Sequence, residues 1–157
     1  KLYEKKEEEK PIKEEKPIPR NEINEYARLY EDKIAVSLRL EKLEKDVLKK
    51  KVKMVEYRKQ KRVYLDNIEK LEKEIIPLRE KLIKMGTRYA NAVKDLEILD
   101  AEKENALKSL EDLKIRYRRR KISNVTYLKL KEDFERKITK TTQTIDKIIL
   151  TLKQEAM

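Results

Sequence analysis

The chain lacks cysteine, histidine and tryptophan altogether and has one glycine among its 157 residues. Without cysteine or histidine it cannot form disulfides, present a thiolate nucleophile, build a Cys/His zinc site or use imidazole as an acid or base. Most common catalytic constellations are excluded at this step. One glycine also leaves no room for a glycine-rich loop that cradles phosphate. Turns draw on glycine for positive φ angles, so Gly86 and four prolines imply few sharp reversals. Apolar residues reach 38%, yet they are dispersed among charges, and no run is long enough to cross a bilayer. No signal segment is visible.

What the chain has is charge. Asp, Glu, Lys and Arg make up 46% of it, a composition that predicts an all-α chain of long helices rather than a globule. Basic residues outnumber acidic ones by 42 to 31, and the resulting +11 favours polyanionic partners such as DNA or an anionic membrane surface. A basic surface that merely keeps the chain soluble is the alternative. Enrichment in Lys and Glu suits a hot habitat, where charge networks lose less to desolvation.

Residues 1–21 combine Lys and Glu with Pro11, Pro17 and Pro19 and hold few apolar side chains. Such a stretch cannot bury enough surface to offset ordering, so it reads as a disordered linker. It begins at Lys1 without Met, as a fragment or a processed product would.

From Tyr26 a stride of alternately three and four residues runs to Tyr117, and 23 of its 27 positions are apolar where composition alone gives about ten. A heptad pattern of this length predicts a left-handed coiled coil over 22–119, because a straight helix would rotate the stripe about 20° per heptad. The expected interface residues are Leu40, Leu43, Val47, Met54, Ile68, Leu71, Ile75, Leu78, Leu82, Leu96, Leu99, Leu110 and Leu113. One helix of this extent would be on the order of 145 Å long and would need a partner, with the chain itself as first choice, giving a homo-oligomer. Charges flanking the seam leave parallel and antiparallel pairing open. Pro77 and Gly86 lie off the seam, and the frame passes them without a slip, so a kink at 77–87 is expected rather than a reversal.

A turn is expected at 120–123, where a run of like charges gives way to Ser123 in an N-cap position. A second helix over 124–155 would then fold back as a C-terminal antiparallel hairpin. It keeps the heptad frame, so one continuous helix is the alternative.

Two basic clusters are the candidate binding residues for nucleic acid or an anionic surface. The first is Lys49, Lys50, Lys51, Lys53, Arg58, Lys59, Lys61 and Arg62; the second is Lys114, Arg116, Arg118, Arg119, Arg120 and Lys121 around Tyr117. Such density displaces counterions from a phosphate backbone without reading its sequence. The plainer reading is a solvated charge run. Lysines at seam positions, among them Lys33 and Lys50, either fix register or reach out to water. The carboxylate pairs Glu102 with Glu104 and Glu132 with Asp133 have no pocket to perturb them. No catalytic residue, metal or cofactor is expected.

The Glu/Lys/Pro linker, the long coil, and the stretch from Ile115-Arg116-Tyr117 through Lys121-Ile122-Ser123 to Tyr127, Leu130 and Phe134 resemble the coiled-coil part of archaeal CdvA-type cell-division proteins. The resemblance implies a cytoplasmic, filament-forming scaffold at the inner membrane face or division site. It further implies recruitment of an ESCRT-III-like protein, and DNA binding. The sequence therefore points to a non-enzymatic scaffold that assembles through its coil and recruits partners, with non-specific nucleic-acid binding as the alternative.

Overall fold

The computed structural model describes residues 20–156, apart from the side chains of Thr87 and Arg88. Four helices account for almost all of this span: α1 Arg20–Leu48, α2 Met54–Met85, α3 Thr87–Arg118 and α4 Asn124–Glu155. No strand occurs among the described residues, so the chain is all-α. No described helix is long and apolar enough to cross a membrane. The linker expected over 1–21 lies outside the described residues, except that Arg20 and Asn21 already belong to α1.

The single helix expected over 22–119 is corrected to three. The first break follows Leu48, where Lys49-Lys50-Lys51 stacks like charges at a helix end before β-branched Val52, and the chain reverses before α2. The second is a reversal at Gly86, where a kink was expected. Its φ of 74° and ψ of −160° lie where only glycine is comfortable, and its amide closes α2 on the Ile83 carbonyl. Pro77 sits inside α2 with its ring exposed. It removes one amide donor on a face that water reaches, which the helix tolerates.

The connections make two antiparallel hairpins, α1 with α2 and α3 with α4. In the first, Lys81 bonds Glu22 at 3.1 Å near one end and Tyr57 donates to Glu44 at 2.6 Å near the other. In the second, Tyr89 donates to Glu155 at 3.4 Å near one end, while Tyr117 stacks on Tyr127 at the other. The hairpins pack side by side as an up-down-up-down bundle, with α2 beside α3 and α4 beside α1. The pairs Arg79 with Glu97 and Lys153 with Glu31 mark those two contacts. Helices α1 and α3 are diagonal and parallel, and the Tyr30 hydroxyl spans the diagonal to donate to the Leu96 carbonyl at 3.3 Å.

One shared core lies toward the Gly86 end. Ile23, Tyr26 and Tyr30 of α1 meet Ile75 and Leu82 of α2, Val93 and Leu96 of α3, and Ile145, Ile149 and Leu152 of α4. Each fully buried large side chain contributes roughly 1.5–3 kcal/mol. Beyond Ile34, Leu71, Leu99 and Ile145 the buried residues thin to Val36, Leu43, Ala106, Leu110, Leu113 and Thr141. Past the level of Lys33 and Asp100, each hairpin extends as an arm on the order of 25 Å long.

The sequence-derived interface residues are covered within this one chain. Leu43, Ile75, Leu82, Leu96, Leu110 and Leu113 are buried; Leu40, Val47, Ile68, Leu71, Leu78 and Leu99 are half-buried; Met54 alone is exposed. The seam that seemed to require a second chain has found its partner helices by folding back.

Three titratable groups tie the core to pH. Burial pushes the Tyr26 hydroxyl up to about 12 and the Tyr30 hydroxyl up as well. Burial alone would lower Lys33, but its bonds to Asp100 and to Glu72, the latter at 2.9 Å, outweigh that and hold its pKa above the ordinary value. All three bind their protons more tightly folded than unfolded, so the unfolded chain releases protons first as pH rises. Their contribution is intact below about pH 10 and fades as pH passes through the folded values. Urea melts should therefore be level from about pH 7 to 9 and fall from about pH 10, with Tyr26→Phe plus Tyr30→Phe flattening the fall. Stability that increased above pH 10 would contradict this.

Candidate polyanion-binding tips

Each basic cluster centres on the turn at the end of one hairpin. At the first, Lys50 takes the left-handed conformation with φ 60°; the Lys50 amide bonds Val47 O at 3.1 Å and the Lys51 amide bonds Asp46 O at 2.8 Å. At the second, Arg120 has φ 58°, its amide bonds Tyr117 O at 2.9 Å, and the Lys121 amide bonds Arg116 O at 2.9 Å. Both are the two-bond helix termination in which glycine usually holds the left-handed position. A side chain there costs about 1 kcal/mol, so each tip keeps a cation where glycine would be more stable. Strained positions of this kind cluster at functional sites.

The following helices begin differently. Lys53 precedes α2 in an extended conformation and makes no side-chain cap, whereas the Ser123 hydroxyl accepts from the Thr126 amide at 3.1 Å and caps α4.

Lys49, Lys50, Lys51, Lys53, Arg58, Lys59 and Arg62 are exposed, as are Arg116, Arg118, Arg119, Arg120 and Lys121; Lys114 is half-buried. Lys61 is set apart, since its ammonium lies 3.4 Å from Glu44 and donates to the Tyr57 hydroxyl at 3.1 Å. It braces the arm, while the exposed cations face solvent. Because α1 and α3 run parallel from the core, both tips project from the same end of the molecule. Sequence spacing gave no hint of that shared end.

Aromatic rings back the cations. Tyr117 and Tyr127 stack at 4.0 Å with planes 7° apart, and Tyr117 donates to Asn124 at 2.8 Å. Exposed apolar side chains stand beside them: Leu48 is 73% exposed, Val55 72% and Val125 78%. Lys131 over the Tyr127 ring is a tip contact that cluster counting missed, and its i, i+4 spacing was the available signal.

Among the described residues no group of three or more His, Cys, Asp or Glu could hold a metal. Glu132 and Asp133 both pair with Arg136, at 2.9 and 3.3 Å. Asp133 and Arg136 line an open groove of about 420 Å³ between α3 and α4 whose other walls include Glu102, Lys137, Lys140 and Thr144. What the tips offer is dense, solvated positive charge at the ends of two helical hairpins. No family model matches the chain, and no curated protein matches it.

Proposed function

We propose that the protein is a non-catalytic binding module that grips nucleic-acid phosphate backbones with the basic tips of its two helical arms. The observation that carries this reading is the pair of left-handed cations, Lys50 and Arg120, at the centres of two exposed basic tips that share one end of the bundle. Binding would be independent of sequence, since short turns with mobile Lys and Arg side chains meet phosphates and do not enter a groove in fixed register. Self-assembly through the heptad seam is less favoured, because one chain already covers it. Filament growth, or recruitment of an ESCRT-III-like partner, would draw on other surfaces.

Two measurements test the reading. Each neutralised phosphate adds about −0.9 to the slope of log affinity against log salt. On a long duplex, reversing Arg118, Arg119 and Arg120 to Glu should therefore flatten the slope by about 3 and weaken binding roughly 100-fold near 0.1 M salt. No salt-dependent binding by the parent would sink the proposal. Separately, Lys50→Gly and Arg120→Gly should each raise stability by about 0.5–1 kcal/mol while weakening binding. Stabilisation with binding unchanged would remove the argument from strain.

Exposed Leu48, Val55 and Val125 favour a second reading, an anionic bilayer whose headgroups take the cations while apolar tips enter the interface. Binding to phosphatidylserine vesicles with none to duplex DNA would select it.

A further inference from the structure

We infer that the chain is a tandem duplication of one helical hairpin, and that its tips are two copies of one site, so that a single chain holds two nucleic-acid segments at once. The inference rests on the phosphate-backbone reading and adds its valency.

The duplication shows when the sequence is laid on itself at an offset of seventy residues. Over 49–61 this pairs Lys51 with Lys121, Val55 with Val125, Tyr57 with Tyr127, Lys59 with Lys129 and Lys61 with Lys131. These are five identities in thirteen positions, where chance at this composition gives about one. Lys49, Lys50 and Val52 meet Arg119, Arg120 and Ile122, which keep charge or shape. Further up, Leu43 pairs with Leu113, Ile75 with Ile145 and Leu82 with Leu152, the positions that bury each seam.

The same offset relates the geometry. The left-handed residues 50 and 120 differ by two degrees in φ, from 60° to 58°. Lys61 lies 5.4 Å from the centre of the Tyr57 ring, and Lys131 lies 6.0 Å from that of Tyr127. The packing obeys it too: exchanging the hairpins maps the α2 and α3 contact onto the α4 and α1 contact. The bundle therefore has an approximate two-fold axis along its length, and the tips are its symmetry mates.

Equivalence of this kind constrains binding. Each of the two copies carries its own cations, ring and left-handed basic residue, so neither tip depends on the other to complete its set. Each tip is sufficient for one backbone segment. On long DNA the second contact becomes intramolecular, and affinity gains by effective concentration without any new contact.

The test counts duplexes of about ten base pairs bound per chain, by titration calorimetry at low salt. The parent should bind two. Lys49, Lys50 and Lys51 reversed to Glu should leave one, Arg118, Arg119 and Arg120 reversed to Glu should leave one, and both sets together none. The per-site Kd of each single-tip variant should stay within about threefold of the parent's, while affinity for a long duplex falls at least tenfold. Circular dichroism confirms that each variant keeps its helices. One duplex per parent chain, or loss of all binding on reversing either tip, overturns the bivalent assignment and leaves the phosphate reading standing. Absence of duplex binding by the parent overturns both.

Discussion

Replacing Gly86 with alanine is expected to turn the one-chain bundle into a two-chain assembly and to destabilise the one-chain form by about 2 kcal/mol. The expectation follows from the backbone alone. A Cβ at residue 86 would meet no atom within 4 Å, so no clash arises. The cost lies in φ 74° and ψ −160°, a region that residues with a side chain occupy only at about 1–3 kcal/mol. Alanine is in addition about 1 kcal/mol better than glycine inside a helix. Both terms push Met54 to Arg118 toward one straight helix. Straightened, α2 can no longer fold onto α3 of its own chain, yet its stripe runs on through Leu78, Leu82, Met85, Tyr89 and Ala92 without a break. Two such chains can exchange hairpins and rebuild the same core from each other. Sedimentation should show twice the chain mass with helical content unchanged. A monomer as stable as the parent would refute the role given to Gly86.

That stripe also explains what could and could not be read from the residues. Helix period and scarcity of turn formers are local properties, so the all-α class was legible, and so was the buried stripe, although Ile23, Tyr30, Val93 and Ile149, which complete the shared core, lie off the heptad seam. Heptads, however, do not say whether the covering helix belongs to another chain or to the same one folded back. Here the reversals were hidden twice over. The two hairpins are offset by seventy residues, ten full heptads, so the frame of one runs into the other as if uninterrupted. Within each turn the frame survives as well, passing Val47, Lys50, Met54 and Tyr57, although Lys50 and Met54 are exposed at a tip. The usual mark of a helix ending in a left-handed residue is glycine, and Lys50 and Arg120 replace it, so neither tip announces its conformation. The basic clusters were visible by composition, but their common direction depends on contacts such as Lys33 to Asp100 and Tyr30 to Leu96, each more than sixty residues apart in sequence.

Met54 and Leu82 occupy the same stripe, and aspartate at each separates the folded-back bundle from an extended two-chain rod. Leu82 is fully buried in the shared core. An aspartate there leaves a cavity and a carboxylate that must be desolvated or protonated; together these cost about 4 kcal/mol or more. Set against a total stability of roughly 5–15 kcal/mol, that abolishes or nearly abolishes cooperative unfolding. Met54, by contrast, is 51% exposed and opens α2 directly after Lys53. Aspartate at a first helical position faces the positive end of the helix dipole, so stability should stay within about 0.5 kcal/mol of the parent or rise slightly. In an extended rod both residues would be interface positions and both substitutions would damage it alike. Urea melts followed by helical circular dichroism decide between the two. A collapsed Leu82→Asp beside an intact Met54→Asp is the signature of a seam that one chain closes upon itself, and equal damage at both positions would restore the rod.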